Sequence, residues 1–290
     1  PHSSVLSHMS PISANNNNPL IVVFSDLDGS LLDHHDYSYA AARPGLDRLE
    51  AMGVPLVLAT SKTRDEVQVF VEELGLDTPF IIENGGGILI PPGYFDSVSK
   101  DQEYEELVLS APVRELQHVL DQARADGYQF RSMLEMDINE IVELTGLRPE
   151  EAERAARRHY TIPLVWRDDD ERLPGFQALI ESSGFCLLRG GRFYHLQGST
   201  DKSVALKNLV RRYEQLNAVP VISIALGDSG NDRKMLETAD YAIVIPSISK
   251  GAMSLEKKEG VFTASYPGPK GWNEGLMATL DRINQRISHE

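Results

Sequence analysis

Two short apolar runs, far apart in the chain, each end in a cluster of acids. Leu20-Ile21-Val22-Val23-Phe24-Ser25 runs into Asp26-Leu27-Asp28-Gly29, and Val221 to Leu226 runs into Gly227-Asp228-Ser229-Gly230-Asn231-Asp232. Short apolar runs bounded by turn residues read as buried strands. In an open parallel sheet, side chains just past the C-terminal strand ends converge on one crevice, and ligands bind there. Two acidic clusters so placed gather three or four carboxylates around one hard cation. Mg²⁺ suits such a set, because it takes oxygen ligands, keeps several waters and bridges to substrate phosphate. The feature points to metal-assisted phosphoryl transfer.

The order of the remaining elements agrees. Val54 to Thr60 is a second buried strand. Thr63-x-x-Glu66 is a capping box that opens a helix, and Gly75 stops it. Phe80-Ile81-Ile82 is a third strand, followed by a turn at Glu83-Asn84-Gly85-Gly86-Gly87 and an extended return through Ile90. This alternation predicts an α/β fold, a doubly wound, mostly parallel Rossmann-like core. Between about Gly93 and Gly198 the pattern becomes helix, strand, two helices, strand, helix and hairpin, which is an inserted α+β unit. The core pattern resumes at Asp201, with a helix from Lys202, the Val221 strand, a helix to Thr238 and a strand at Tyr241 to Ile245. The expected division is a flexible leader at 1–18, a catalytic core at 19–97 and 199–290, and the insertion at 98–198. The leader has no basic start followed by an apolar stretch, so it does not read as a signal peptide.

Composition narrows the function. A chain of 290 residues with 28 Lys and Arg against 43 Asp and Glu has a net charge of −15, which argues against nonspecific nucleic-acid binding. A phosphate site in such a field needs local cations and a metal. No run approaches the ~18 apolar residues of a membrane span, so no membrane partner is expected. The single cysteine, Cys186, cannot form an intramolecular disulfide and fits a reducing, cytoplasmic setting; within Phe185-Cys186-Leu187-Leu188 it reads as packing. The oligomeric state is not legible.

Among the chemical groups, Asp26 is the candidate nucleophile, since a carboxylate can attack phosphorus and split one displacement into two. Asp28, two residues on, is the candidate acid and base. Gly29 permits the tight turn that brings backbone N–H groups toward phosphoryl oxygens. Asp228 is the best additional metal ligand, with Asn231 and Asp232 beside it; Asp232 also suits a helix N-cap. The metal set is thus Asp26, Asp28, Asp228 and Asp232. Thr60 ends the second strand, where its hydroxyl can bond a phosphoryl oxygen or serve as ordinary strand chemistry. Lys202 can neutralise charge on the reacting phosphoryl group, or it is a solvated lysine where the helix dipole disfavours a cation.

The ordered set Asp-x-Asp-Gly, strand-end Thr, Lys before a helix, then Gly-Asp-x-x-x-Asp resembles the haloacid dehalogenase superfamily of Mg²⁺ phosphatases, with a large α/β cap. The likeness runs from about Leu20 to Gly275. Further stretches resemble the mannosyl-3-phosphoglycerate phosphatase branch: Asp28-Gly29-Ser30-Leu31-Leu32-Asp33-His34-His35, Thr60-Ser61-Lys62-Thr63, Glu83-Asn84-Gly85-Gly86, Glu143-Leu144-Thr145-Gly146-Leu147 and Gly190-Gly191-Arg192-Phe193-Tyr194-His195. The resemblance implies a small phosphorylated sugar-glycerate substrate, cleaved to mannosylglycerate through an aspartyl-phosphate, with the glucosyl compound as a second substrate. Ser30 departs from the usual Thr but keeps a hydroxyl.

Such a substrate needs cations and hydroxyl readers. Lys62 lies beside the expected phosphate site. Asn84, Gly85 and Gly86 offer an amide and bare backbone N–H groups at a strand end. Arg167 and Arg192 suit a carboxylate through their planar fork, although either alone is more often a surface charge than a ligand. His195 either bonds a sugar hydroxyl or packs inside its hairpin. His34 and His35 do not read as ligands, since Mg²⁺ prefers oxygen. A sugar phosphomutase would share the first chemical step. A signalling module phosphorylated on aspartate would need only about 120 residues and no inserted unit.

Overall fold

A computed structural model describes residues 18–96 and 103–289. The expected leader lies outside these residues except for Asn18, as does the expected core boundary at 97–98. The larger layer is an eight-stranded sheet. Its first strands and helices are β1 (Leu20–Ser25), α1 (Arg43–Met52), β2 (Leu56–Ala59), α2 (Arg64–Leu74), β3 (Phe80–Ile82), β4 (Gly87–Ile90) and β5 (Glu105–Val108). The inserted unit follows as α3 (Val113–Ala125), β6 (Phe130–Ser132), α4 (Ile138–Thr145), α5 (Pro149–Ala156), β7 (Thr161–Trp166), α6 (Leu173–Ser182), β8 (Phe185–Gly190) and β9 (Phe193–Gly198). The chain then returns through α7 (Lys202–Asn217), β10 (Val221–Gly227), α8 (Arg233–Thr238), β11 (Tyr241–Val244), β12 (Val261–Thr263) and α9 (Gly268–Ile287).

The strand order is β12-β11-β10-β1-β2-β3-β4-β5. Pairing is parallel from β12 through β3 and antiparallel at β3–β4 and β4–β5. β1 is apolar on both faces because it is covered on both. Ile21 and Val23 enter one core with Leu46 and Leu49 of α1 and Trp272 and Leu276 of α9. Val22 and Phe24 enter the other with Leu206 and Leu209 of α7 and Met235 of α8. Each fully buried Leu, Ile or Phe in these layers contributes roughly 1.5–3 kcal/mol. Strand order reverses at β1, whose neighbours are β10 and β2. Ser25 pairs with both Leu226 and Leu58, so Asp26, Asp228 and Thr60 emerge together at the switch point.

Helix ends follow the local signals. Thr63 accepts from Glu66 N at 3.3 Å and donates its own N–H to Glu66 Oε1 at 3.0 Å, closing the expected capping box. Gly75 ends α2 in the left-handed conformation.

The inserted unit has an antiparallel sheet ordered β6-β7-β9-β8. Leu116, Leu120, Phe176 and Ile180 of α3 and α6 pack on one face against Ile162, Leu164 and Leu196. A smaller cluster of Met133, Met136, Ile141 and Ala152 takes in Val165 and Phe193 from the strands. The insertion was expected to begin at 98, but Glu105–Val108 pairs antiparallel with Gly87–Ile90 and belongs to the large sheet. Its half-exposed residues cap the edge of that sheet, and the insert's own layer starts after Ser110. Among the described residues, no helix is long and apolar enough to cross a membrane.

Candidate active site

Asp26 and Lys202 meet at the switch point. Lys202 Nζ donates to Asp26 Oδ1 at 2.9 Å and to Asp232 Oδ1 at 2.6 Å, with its side chain 0% exposed. It stands in the first turn of α7, where the dipole opposes it, and the two carboxylates overcome that. Burial alone would lower the ammonium pKa, but Asp232 and Asp26 raise it, so the lysine stays charged. The reading of Lys202 as a solvated surface lysine is excluded.

Asp232 closes the second acidic loop. Its Oδ2 accepts from the backbone N–H of Asp228 at 3.1 Å and of Ser229 at 3.2 Å, while Oδ1 is held by Lys202. Asp228 is thereby turned toward Gly29, whose φ is +76°. A Cβ on Gly29 would collide with the Asp228 carboxylate, so this approach requires glycine.

The acids fit a hard cation. One oxygen from each of Asp26, Asp228 and Asp232 lies within 4.8 Å of the others. Asp28 Oδ1 and Asp228 Oδ1 are buried and have no hydrogen-bond donor. Burial and then the negative charge of Asp232 push Asp26 well above the usual carboxylate range, against the opposing pull of Lys202. Burial and Asp232 push Asp228 up to about 6. Carboxylates short of positive charge, with oxygens lacking donors, are what a dication relieves.

Lys62 stands beside Asp28. Its Nζ is 3.1 Å from Asp28 Oδ2 and 3.7 Å from Glu66, and it sits 5.2 Å above the Tyr37 ring. Burial would lower its pKa, but Asp28 and then Glu66 raise it. Thr60 is buried, and its Oγ1 accepts from Lys62 N at 3.1 Å, which shapes the loop beside Asp28.

The turn after β3 differs from expectation. Asn84 N–H donates to Thr60 O, and Gly86 N–H to Ile82 O and Glu83 O, so these groups are not bare. The Asn84 side chain bridges Gln197 at 3.4 Å and Asn231 at 3.0 Å. A Cβ on Gly85 would collide with Asp201 O, and one on Gly86 would come within 2.5 Å of Tyr160. Gly85 serves close packing against the start of α7, and Gly86 close packing against Tyr160 of the insertion.

Arg167 and Arg192 make no hydrogen bond or ion pair with the strand-end cluster among the described residues. β7 touches the core loop at Thr161, and Arg167 lies about 20 Å along the strand from that contact. It is exposed and lines a cleft of about 580 Å³ with Arg124, Arg131 and Glu135. Arg192 sits at the β8–β9 turn and donates to Leu144 O. Both arginines extend the tips of the small sheet. His195 packs within the hairpin against Gly190, its Nδ1 buried without a partner. Burial and then Arg158 depress its pKa to about 4, which favours the packing reading. Cys186 is half-buried beside Gly198 O.

Sequence reasoning missed Glu83, Tyr37 and Arg158. The Glu83-Asn84-Gly85-Gly86 turn was a visible signal for the first, but the partners of Glu83 and Arg158 lie across two units and left no spacing to read.

Comparisons with known proteins match this arrangement. Residues 23–131 match the family described as haloacid dehalogenase-like hydrolase. The chain is 38% identical over 269 residues to a protein of Persephonella marina named glucosyl-3-phosphoglycerate/mannosyl-3-phosphoglycerate phosphatase, covering 91% of this chain and 99% of that one. It is 34% identical over 276 residues to a Methanococcoides burtonii protein of the same name, covering 91% and 98%. A solved Thermoplasma acidophilum structure superposes with a TM-score of 0.63 at 17% identity, covering 91% of this chain and 99% of that one. The sucrose-phosphatase of Synechocystis, solved with sucrose and phosphate, superposes with a TM-score of 0.58 at 15% identity, covering 90% and 98%. At those identities the two structures show the fold alone.

Proposed function

Because the chain belongs to the haloacid dehalogenase-like hydrolases and is a phosphoric monoester hydrolase, we propose that it converts mannosyl-3-phosphoglycerate to mannosylglycerate and phosphate, with the glucosyl compound as a second substrate. The observation that carries this reading is the 38% identity to a relative so named, across 99% of that relative's length.

In this reading, Asp26 attacks the phosphorus in line. The Asp26–phosphorus bond forms as the bond to the glycerate oxygen breaks, and Asp28 gives that oxygen its proton. Water then attacks the aspartyl-phosphate, Asp28 takes the water proton, and phosphate leaves with Asp26 restored. Lys202 holds positive charge beside Asp26 throughout, and Thr60 faces a phosphoryl oxygen. Lys62 orients Asp28 through their ion pair and lies near enough to meet the substrate's glycerate end.

Asp26, Asp228 and the Asp28 backbone carbonyl would hold Mg²⁺, with Asp232 behind them fixing Lys202 and the loop. Bound there, the ion supplies positive charge against the phosphoryl oxygens and keeps Asp26 ionised. The inserted unit at roughly 111–198 acts as a cap that excludes water and reads the sugar. We place the activity in the reducing cytoplasm, in keeping with the single half-buried cysteine.

The test is phosphate release with Mg²⁺ from mannosyl-3-phosphoglycerate, glucosyl-3-phosphoglycerate, mannose 6-phosphate and 3-phosphoglycerate in parallel. Strong preference for a glycosyl-phosphoglycerate is expected. Equal or better turnover of mannose 6-phosphate would sink the named substrate while leaving the phosphatase chemistry in place.

A further inference from the structure

The turn between β3 and β4 holds the inserted unit and both of its crossings to the core. Leu109 N–H, at the outgoing crossing, donates to Gly86 O at 2.9 Å. Thr200 Oγ1, at the returning crossing, donates to Gly85 O at 3.3 Å, and Gln197 just before it is held by Asn84. Between the crossings, the insertion dips back to the core at residues 158–161, and there Glu83 receives it.

Glu83 is 1% exposed, with φ of 46°, and Asn84 follows at 56°. Two successive non-glycine residues in the left-handed region are strained, and such strain persists only where surrounding contacts enforce it. The contacts are unusually many. The Glu83 carboxylate accepts from His159 N at 3.1 Å, Tyr160 N at 3.2 Å, Thr161 N at 3.2 Å and Thr161 Oγ1 at 2.9 Å. Arg158, with a side chain 5% exposed, stands 3.5 Å from the same carboxylate. Its Nη2 also donates to Thr161 Oγ1 at 2.6 Å and to Ser61 O at 3.1 Å. Ser61 lies between Thr60 and Lys62, the residues that border Asp28. The carboxylate thus joins the insertion to the loop that lines the phosphate site.

We propose that Glu83 is a positioning residue: by clamping residues 158–161 it sets the inserted unit over the Thr60–Lys62 loop, so that turnover of a glycosylated substrate depends on it and turnover of a small phosphate ester does not. The proposal rests on the reading of the insertion as a cap. Glu83 touches none of the reacting groups, and its removal leaves Asp26, Asp28, Asp228 and Lys202 with their own partners. It also takes the acceptor from three backbone N–H groups, two of them buried, which loosens the seat of the insertion.

The experiment compares Glu83→Ala and Glu83→Gln with the wild type on p-nitrophenyl phosphate and on whichever glycosyl-phosphoglycerate the wild type prefers. For Glu83→Ala, kcat/KM on the glycosyl substrate should fall about tenfold or more, as displacement of a positioning element does. The same quantity for p-nitrophenyl phosphate should stay within about threefold. Glu83→Gln, which keeps one acceptor oxygen but loses the charge facing Arg158, should shift the ratio in the same direction by less. If Glu83→Ala does not fold, the Glu83→Gln ratio decides. Amide hydrogen exchange supplies a readout independent of the substrate's identity: exchange at His159, Tyr160 and Thr161 should speed up, while β1 and β10 stay as protected as before. Equal loss on both esters would overturn the proposal, as would unchanged exchange at 159–161. A wild type that prefers no glycosyl substrate would defeat the proposed function, and the exchange result would still judge the clamp.

Discussion

The strand-end cluster and the inserted unit both carry many charges, but they hold them differently. Lys202 and Asp232 have fully buried side chains, and the acceptor of each donor is fixed by the sheet beneath it. In the insertion, Arg148 pairs with Glu150 and Glu151 while 71% exposed, and Arg131 pairs with Glu140 while 40% exposed. Exposed pairs of that kind contribute little to stability, typically about 0–1 kcal/mol. Buried pairs are different, because removing one partner strands the other. The contrast separates charges whose positions are imposed by the fold from charges that solvate a surface. Glu83 and Arg158 belong with the first group although Arg158 comes from the insertion, and they are one of the places where the two regions join.

The largest effect should come from Lys202→Met. That change leaves Asp26 and Asp232 buried beside each other with no cation between them, at a cost on the order of 3–5 kcal/mol. Turnover should fall by roughly 10²–10³ as well, because positive charge is lost beside the reacting phosphoryl group. Denaturant unfolding and phosphate release measure the two effects separately. A stable, active Lys202→Met protein would remove the main difference between the two regions.

A smaller effect, and a sharper test of the contrast, comes from the exposed arginines. Arg167→Ala and Arg192→Ala should each leave kcat/KM for the glycosyl substrate within about threefold of the wild type. Their side chains stand at the tips of the small sheet, and neither bonds to the strand-end cluster. A loss of tenfold or more for either would show that the tips fold over the substrate during turnover, and the insertion would then hold a buried charge site of its own.

These expectations follow from what the chain disclosed and what it concealed. Asp26, Asp228 and Thr60 were legible because each directly follows an apolar run, and parallel register carries strand ends to one place. The capping box at Thr63 and Glu66 was legible because its partners are three residues apart. β5 was not, since Glu105 and Glu106 give it no apolar run, and pairing with β4 alone makes it a strand. α9 was not read from the sequence, and Pro269, Gly271 and Gly275 interrupt its helical pattern. In the structure, Gly271 and Gly275 are places of close approach, where a Cβ would collide with Tyr266 O or with Ile243. The partners of the two arginines, like those of Arg158, left no spacing to read. A side chain's type does not say which unit it will face.

The smallest effect concerns His195, which the sequence left between sugar contact and packing. Its pKa in the folded chain is about 4, lowered by burial and then by Arg158. The unfolded chain holds the same ring near 6.5. Between those values the unfolded state binds the proton first, so acid favours unfolding there. The contribution of neutral His195 is complete above about 6.5 and is lost as the pH falls toward 4. His195→Asn keeps a polar side chain without the titration. Unfolding free energies of the two proteins, measured from pH 4 to 7.5, should therefore converge as the pH falls, with the wild type losing stability faster. Parallel curves would mean that the ring is hydrated in the folded protein and titrates as it does in the unfolded chain. His195 would then move from the packed face of the insertion to the side of the contrast that meets substrate.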